Sequence, residues 1–127
     1  MKLYHYNQTC SGGNFKTSDK LAVHTFIEAM SPREANNIAE SIGIYFDGVE
    51  SCVDCPCCGD RWDEQYGGIN NDSENYQEFL INELLPVINT YSKYWNGSQW
   101  LIVHLYDGTM LKTMDEIVNH YNCGIGE

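Results

Sequence analysis

Four of the chain's six cysteines, Cys52, Cys55, Cys57 and Cys58, lie within seven residues of one another. The stretch 55–59 reads C-P-C-C-G and so matches C-P-x-C-G, which is typical of the tight turn called a zinc knuckle. Two thiolates spaced C-x-x-C across such a turn can bind one tetrahedral Zn²⁺, because the turn exposes backbone N–H groups to the sulfurs and glycine permits a positive φ. The spacing therefore predicts a structural zinc site.

A closed zinc site has four ligands, and the knuckle supplies two of them, Cys55 and Cys58. Cys52 and Cys57 are the candidates that would complete the set from within the loop. Adjacent cysteines point apart in extended backbone, so a ligand from a distant segment is the alternative to Cys57. The distant candidates are Cys10, His24 and Cys123. The sequence leaves this choice open.

Other cysteine chemistries fit the pattern less well than zinc. Cys52, Cys55 and Cys58 match the first part of an iron–sulfur spacing, but the fourth cysteine with its following proline is missing. Disulfides form in oxidising compartments, and residues 1–6 contain no apolar signal segment that would direct the chain to one, so we do not expect disulfides. A catalytic thiol is usually a lone cysteine beside a base, whereas clustered thiols at chelating spacing are more often metal ligands.

Length and composition predict one soluble domain over residues 1–127. A chain of 127 residues can bury its own core, and 43% hydrophobic content with 13% aromatic content excludes a disordered protein. No apolar run approaches the ~18 residues that a membrane-spanning helix needs. We therefore expect a cytoplasmic protein that does not interact with membranes.

The net charge of −11 is concentrated in the middle of the chain. Residues 47–83 contain ten acidic side chains against the single Arg61, a net charge of −9. Such a surface repels nucleic acid and attracts basic patches on other proteins. We expect no direct contact with nucleic acid.

Periodicity predicts an α+β fold. Residues 21–29 alternate as a strand and are expected to pair with residues 2–6. The stretch 31–34 has a capping-box pattern with proline at the first helical position, which predicts a helix that ends at Gly43. A short strand at 44–46 would complete a β-α-β unit over 21–46.

The second half of the chain, 73–127, predicts a helix, a hairpin and a short terminal helix. The helix is expected over 73–94, with Pro86 breaking or kinking it near Leu85. A strand over 99–106 is apolar on both faces and turns at Asp107-Gly108 into 109–113, and 115–122 forms the last helix. Together the elements predict a small, mainly antiparallel sheet with two to three helices on one face and a zinc-knuckle loop, 52–62, at an edge.

Three stretches, 7–15, 26–48 and 54–62, carry a family resemblance, and the last reads D-C-x-C-C-G-D-R-W. With these motifs the chain resembles a family of small uncharacterised proteins encoded by tailed bacteriophages, over about residues 1–65. The resemblance implies a virus-encoded protein made in the bacterial host cytoplasm, and it implies no activity.

The preferred hypothesis is an acidic, zinc-stabilised binding protein that modulates or inhibits a host or defence protein without catalysis. Arg61 and Trp62 could form an exposed hot spot, or Arg61 could instead pair with its acidic neighbours. The remaining candidate partner-binding residues are Asp60, Asp63 and Glu64. One alternative is a nucleic-acid mimic that blocks a DNA- or RNA-binding groove. The other is a zinc hydrolase with an open metal position and Asp60 or Asp54 as base.

Overall fold

The structure, a computed structural model, describes residues 2–8, 16–54, 56, 59–65, 76–87 and 100–122. Its centre is a four-stranded sheet in the order β1-β2-β3-β4. The strands are β1 (Lys2–Asn7), β2 (His24–Ala29), β3 (Leu101–His104) and β4 (Met110–Leu111). The two outer pairings are antiparallel and the central pairing of β2 with β3 is parallel. The predicted α+β class with a mainly antiparallel sheet is confirmed.

Both faces of this sheet are apolar. β1 and β2 pair continuously from Lys2 with Ala29 to Asn7 with His24. Alternate residues of each strand point to opposite faces of the sheet. Tyr4 and Ile27 contribute to one hydrophobic cluster, whereas Leu3 and Phe26 contribute to another. A sheet that is apolar on both faces requires cover on both, since exposing either would leave large hydrophobic side chains in water.

Helix α1 (Pro32–Ser41) covers the face that carries Tyr4 and Ile27. Its N-terminus is capped as predicted, because the Ser31 side chain accepts a hydrogen bond of 3.1 Å from the Glu34 N–H. Ala35 and Ala39 are fully buried, and their small side chains let the helix approach the sheet closely. Gly43, with φ of +112°, follows the end of the helix.

Two helical segments cover the other face. Helix α2 (Gln77–Phe79) continues as a π-helical turn over Leu80–Leu84 and stays helical to residue 87. Helix α3 spans Met114–Asn122. Leu80, Leu84 and Ile117 from these helices belong to the same cluster as Leu3 and Phe26. The prediction of helices on one face only is therefore wrong, and the reason is that β2 and β3 are buried on both faces.

Pro86 does not break the helix within the part of it that is described. The Leu85 N–H donates to the Leu80 carbonyl, a wider turn than in an α-helix. A proline lacks the N–H of the regular helix and its ring clashes with a preceding carbonyl, and a π-turn is one of the distortions that relieve this conflict. The predicted helical residues 73–75 and 88–94 lie outside the described residues.

The predicted strand at 44–46 is absent from the structure, so the β-α-β unit over 21–46 does not form. Both sides of β2 are already occupied by β1 and β3, which leaves no position beside β2 for residues 44–46. Residues 44–46 lead instead into the segment that contains the clustered cysteines. The strands β3 and β4 are also shorter than the predicted 99–106 and 109–113. None of the helices described here has the length and apolar character needed to cross a membrane.

Candidate binding loop and metal segment

The cysteine segment lies between two residues that are bonded to each other, Asp54 and Arg61. Asp54 Oδ2 accepts a hydrogen bond of 2.7 Å from the Arg61 backbone N–H, which closes the loop 54–61. Asp54 Oδ1 accepts a second bond of 2.7 Å from the Tyr45 hydroxyl and lies 3.7 Å from Arg61 Nε. Only 5% of Asp54 and 4% of Arg61 is exposed, so this is a buried ion pair.

The Arg61 guanidinium also connects the loop to the sheet. Its Nη1 donates to Gln8 Oε1 at 2.9 Å, and its Nε donates to the Tyr45 hydroxyl at 3.2 Å. Gln8 follows the end of β1, and its Nε2 donates to the carbonyls of Lys16 at 2.9 Å and Ala22 at 3.2 Å. These hydrogen bonds satisfy the buried side chains and fix the loop against three separate segments of the chain.

Gly48 makes room for the Asp54 carboxylate. A Cβ on Gly48 would lie 1.9 Å from Asp54 Oδ2 and 2.8 Å from Tyr45 Cε2, which no side chain can tolerate. The Gly48 carbonyl accepts hydrogen bonds from the backbone N–H groups of Val53 at 2.8 Å and Asp54 at 2.9 Å. The loop entry therefore depends on glycine for steric reasons.

Arg61 and Trp62 are both buried, so the prediction that they form an exposed hot spot is wrong. Trp62 is 1% exposed and belongs to the cluster that contains Tyr4 and Ala35. The alternative, that Arg61 pairs with an acidic neighbour, is confirmed, with Asp54 as the partner. Asp60, the adjacent acid, accepts a hydrogen bond of 2.9 Å from the Val49 N–H. The Trp62 indole packs in the cluster that covers the sheet, and the Arg61 guanidinium neutralises the buried Asp54 carboxylate. Both roles require burial.

The predicted metal ligands lie mostly outside the described residues. This holds for Cys55, Cys57, Cys58, Cys10 and Cys123, so the zinc site remains a prediction. Cys52 is described, and it is exposed and not in a disulfide. In the part of the chain that the structure describes, no three histidine, cysteine or acidic side chains are grouped as a metal site would require.

The flanks of the cysteine segment fit a metal-binding turn. Gly59 has φ of +85°, the left-handed conformation that the C-P-x-C-G turn requires after its last cysteine, and a Cβ there would meet no atom within 4 Å. The Asp54–Arg61 bond holds the two ends of the segment together. A short, closed loop with thiols at chelating spacing is suited to zinc.

His24, a distant candidate ligand, pairs with His5 instead of joining the Asp54–Arg61 network. His24 Nδ1 lies 2.9 Å from His5 Nε2, and the His5 ring stacks on Phe26 at 4.4 Å between centroids. Burial lowers the pKa of His24 to about 4. The pKa of His5 is lowered to about 3, mainly by burial and to a smaller extent by the charge of the neighbouring His24. The two rings are therefore neutral near pH 7.

Acidic residues predominate in the sequence of the acidic cysteine loop, residues 47–64. Arg61 is the only lysine or arginine in residues 47–83, and its charge is buried against Asp54. The acids that remain at the surface are Asp47, Glu50 and Asp63, which are exposed, and Asp60 and Glu64, which are half-buried. Of the other acids in the predicted stretch 47–83, Glu78 and Glu83 are exposed on the helical segment 77–87, and Asp72 and Glu74 lie outside the described residues.

Sequence reasoning missed the buried network around Arg61. Gln8 and Arg61 are far apart in the chain, so no local pattern could show that they bond. One signal was present for the histidine pair. Once residues 2–6 and 21–29 are paired as antiparallel strands, His5 and His24 fall close together on one face of the sheet.

Fold and loop together define a small α+β domain with a closed acidic cysteine loop. Residues 1–120 match the family described as "Domain of unknown function (DUF7296)", and the chain belongs to that family. No curated protein and no solved structure matches the chain. The family match includes the helical segments and strands that follow the loop.

Proposed function

We propose that this protein is a non-catalytic, zinc-stabilised binding protein that docks its acidic cysteine loop on a basic surface of a host or defence protein. The phage resemblance supports a setting in the cytoplasm of an infected bacterium. The observation that carries the proposal is the burial of Arg61 against Asp54, because Arg61 is the only lysine or arginine in the sequence of the loop, while Asp47, Glu50 and Asp63 are exposed.

A loop that is already held in one conformation binds a partner more favourably than a loop that must first become ordered. The Arg61 hydrogen bonds to Gln8 and Tyr45 hold the backbone of the loop before any partner arrives. A preorganised surface loses less conformational entropy on association. Complementary charge then accelerates encounter and makes the affinity dependent on salt.

Zinc is part of the proposal, with Cys55 and Cys58 as the first ligands and Cys52 and Cys57 as the candidates for the others. A bound Zn²⁺ supplies a cross-link between backbone segments at the tip of the loop. The chain's own contribution is to hold the ends of the segment together through Asp54 and Arg61. Exposed Cys52 precedes this closure and has φ of +64°, in the left-handed region.

The arrangement around Asp54 makes this residue a poor candidate for the base of the hydrolase alternative. Both carboxylate oxygens are engaged, Oδ1 by Tyr45 and Oδ2 by the Arg61 N–H. A general base must lie within reach of the proton that it removes, and Asp54 is only 5% exposed. Asp54 is therefore better suited to hold the loop than to activate water.

Affinity capture from a bacterial lysate tests the docking surface. The bait is the tagged protein, compared with a triple charge reversal of the exposed loop acids, Asp47→Lys, Glu50→Lys and Asp63→Lys. The matched control reverses three exposed acids outside residues 47–83, Asp19, Glu40 and Asp115, and so changes the net charge equally. We expect one partner to bind the wild type and the control, and to be lost from the loop variant and at high salt.

The identity and behaviour of the partner separate the two binding hypotheses. A partner that also binds DNA or RNA, and that nucleic acid displaces from the bait, would favour the nucleic-acid mimic. A partner retained equally by the loop variant and the control, or held without salt dependence, would overturn docking through the acidic loop.

A further inference from the structure

A cavity lies between helix α1 and the end of the parallel pair β2 and β3, away from the Asp54–Arg61 network. Its volume is about 270 Å³, and its apolar lining comes from Ile27, Ile38, Ile42, Leu105 and Met110. Small-molecule sites are typically concave, mostly apolar and provided with a few fixed polar groups. A space of this size accommodates a molecule of one or two fused rings.

His104 gives the cavity a defined hydrogen-bonding character. It lines the cavity, is 8% exposed, and has its Nε2 at 2.8 Å from the Lys20 carbonyl. A carbonyl only accepts, so Nε2 must carry the proton of this bond. Burial is the main cause that lowers the pKa of His104, which keeps the ring neutral near pH 7. Nδ1 is then an acceptor, and within the described part of the chain it has no hydrogen-bond partner.

The rim of the cavity is held in place. The Tyr106 hydroxyl donates to Glu34 Oε2 at 2.8 Å, and its backbone N–H donates to Glu28 Oε1 at 2.9 Å. Tyr106 is nevertheless 45% exposed, so part of its side chain remains accessible to solvent at the opening. Glu28, Lys20 and Tyr106 all line the cavity, and they place polar groups at its edge. The site is therefore a preformed apolar space with one internal acceptor.

We propose that this cavity binds a small neutral aromatic molecule that carries one hydrogen-bond donor, of the indole or phenol class. The ring would pack on the isoleucine side chains, and its donor would reach His104 Nδ1. This site is independent of the acidic loop, because none of the loop residues lines it.

An NMR titration with indole and benzofuran tests the proposal. The two molecules have nearly the same shape, but benzofuran lacks the N–H donor. We expect indole to shift the amide signals of Ile38, Ile42 and Leu105 with a Kd of roughly 1 mM or tighter, as small ligands of this size permit. Benzofuran should bind about fivefold more weakly, since one neutral hydrogen bond contributes about 1 kcal/mol.

Two variants make the test decisive. In His104→Phe the acceptor is lost, and the preference for indole over benzofuran should disappear. In Ile38→Trp, at a half-buried position of α1, the new side chain should fill the cavity and abolish binding of both molecules. Val87→Trp is the control, because Val87 is exposed at the end of the helical segment 77–87, and this variant should leave both titrations unchanged. Equal binding of indole and benzofuran to the wild type, shifts located away from the cavity, or binding that survives Ile38→Trp would overturn the proposal.

Discussion

Replacement of Gly48 by alanine tests whether the buried ion pair holds the cysteine loop. The new Cβ would lie 1.9 Å from Asp54 Oδ2 and 2.5 Å from its Cγ, so the carboxylate must leave its position. Its displacement removes the hydrogen bonds from Tyr45 and the Arg61 N–H, and it leaves the Arg61 guanidinium buried without its counter-charge.

The expected loss of stability follows from the buried charge. Removing one partner of a buried ion pair costs about 3–5 kcal/mol, and this figure already includes much of the loss of the hydrogen bonds. Alanine also restricts the unfolded chain, which offsets roughly 0.4–1 kcal/mol. We therefore expect Gly48→Ala to lower the free energy of unfolding by about 2–4.5 kcal/mol.

The measurement is urea unfolding followed by tryptophan fluorescence at a fixed zinc concentration. Gly108→Ala is the matched control, because Gly108 has φ of +96° but open space around a Cβ. It should cost only the strain of a left-handed alanine, about 1–2 kcal/mol. In a double-mutant cycle, Gly48→Ala should cost much less once Asp54 is already alanine, because only the contact of the new Cβ with Tyr45 Cε2 remains. A cost below 1 kcal/mol, or full additivity with Asp54→Ala, would refute the reasoning.

Two further predictions concern the metal segment and the histidine pair. Cys55→Ser and Cys58→Ser should each lose the bound zinc in metal analysis and lower the melting temperature. Cys52→Ser reports whether that thiol is a third ligand. Full zinc occupancy with an unchanged melting temperature in either of the first two variants would contradict the zinc knuckle. Because burial lowers the pKa of His5 to about 3 and of His24 to about 4, the unfolded chain binds more protons than the folded one below pH 6.5, so stability falls as the pH drops from 6.5 toward 4. At pH 5 each histidine contributes about 2 kcal/mol of this loss, and His5→Phe should reduce the loss between pH 8 and pH 5 by that amount. An unchanged loss in His5→Phe would contradict the neutral, half-buried histidine pair.

Local signals predicted the elements whose formation depends on neighbours in sequence. The capping box at Ser31 and Glu34, the turn at Gly43 and the alternation in β2 all express the chain's own short-range preferences. The same holds for the antiparallel pairing of β1 with β2. Each of these was correct because no distant residue competes with the local preference.

Tertiary contacts decided the features that sequence reasoning misjudged. Residues 44–46 have strand character, but the positions on both sides of β2 are occupied, so the segment turns into the loop. Arg61 looked exposed because arginine usually is. Its burial depends on Gln8, 53 positions away in the chain, whose side chain accepts from the guanidinium. No periodicity in one sequence contains that information.

The Asp54–Arg61 bond also limits how much a zinc ion can contribute to folding. It closes the loop 54–61 in the polypeptide itself, so a cross-link between Cys55 and Cys58 constrains a segment that is already short. By analogy with a disulfide, closing a loop of this size stabilises the fold by about 2–3 kcal/mol. If all four ligands come from residues 52–58, the unfolded chain retains much of its affinity for zinc, and that further reduces the stabilisation. A ligand from Cys10 or Cys123 would instead be lost on unfolding, so the size of the zinc-dependent stabilisation itself reports whether the ligand set is local or distant.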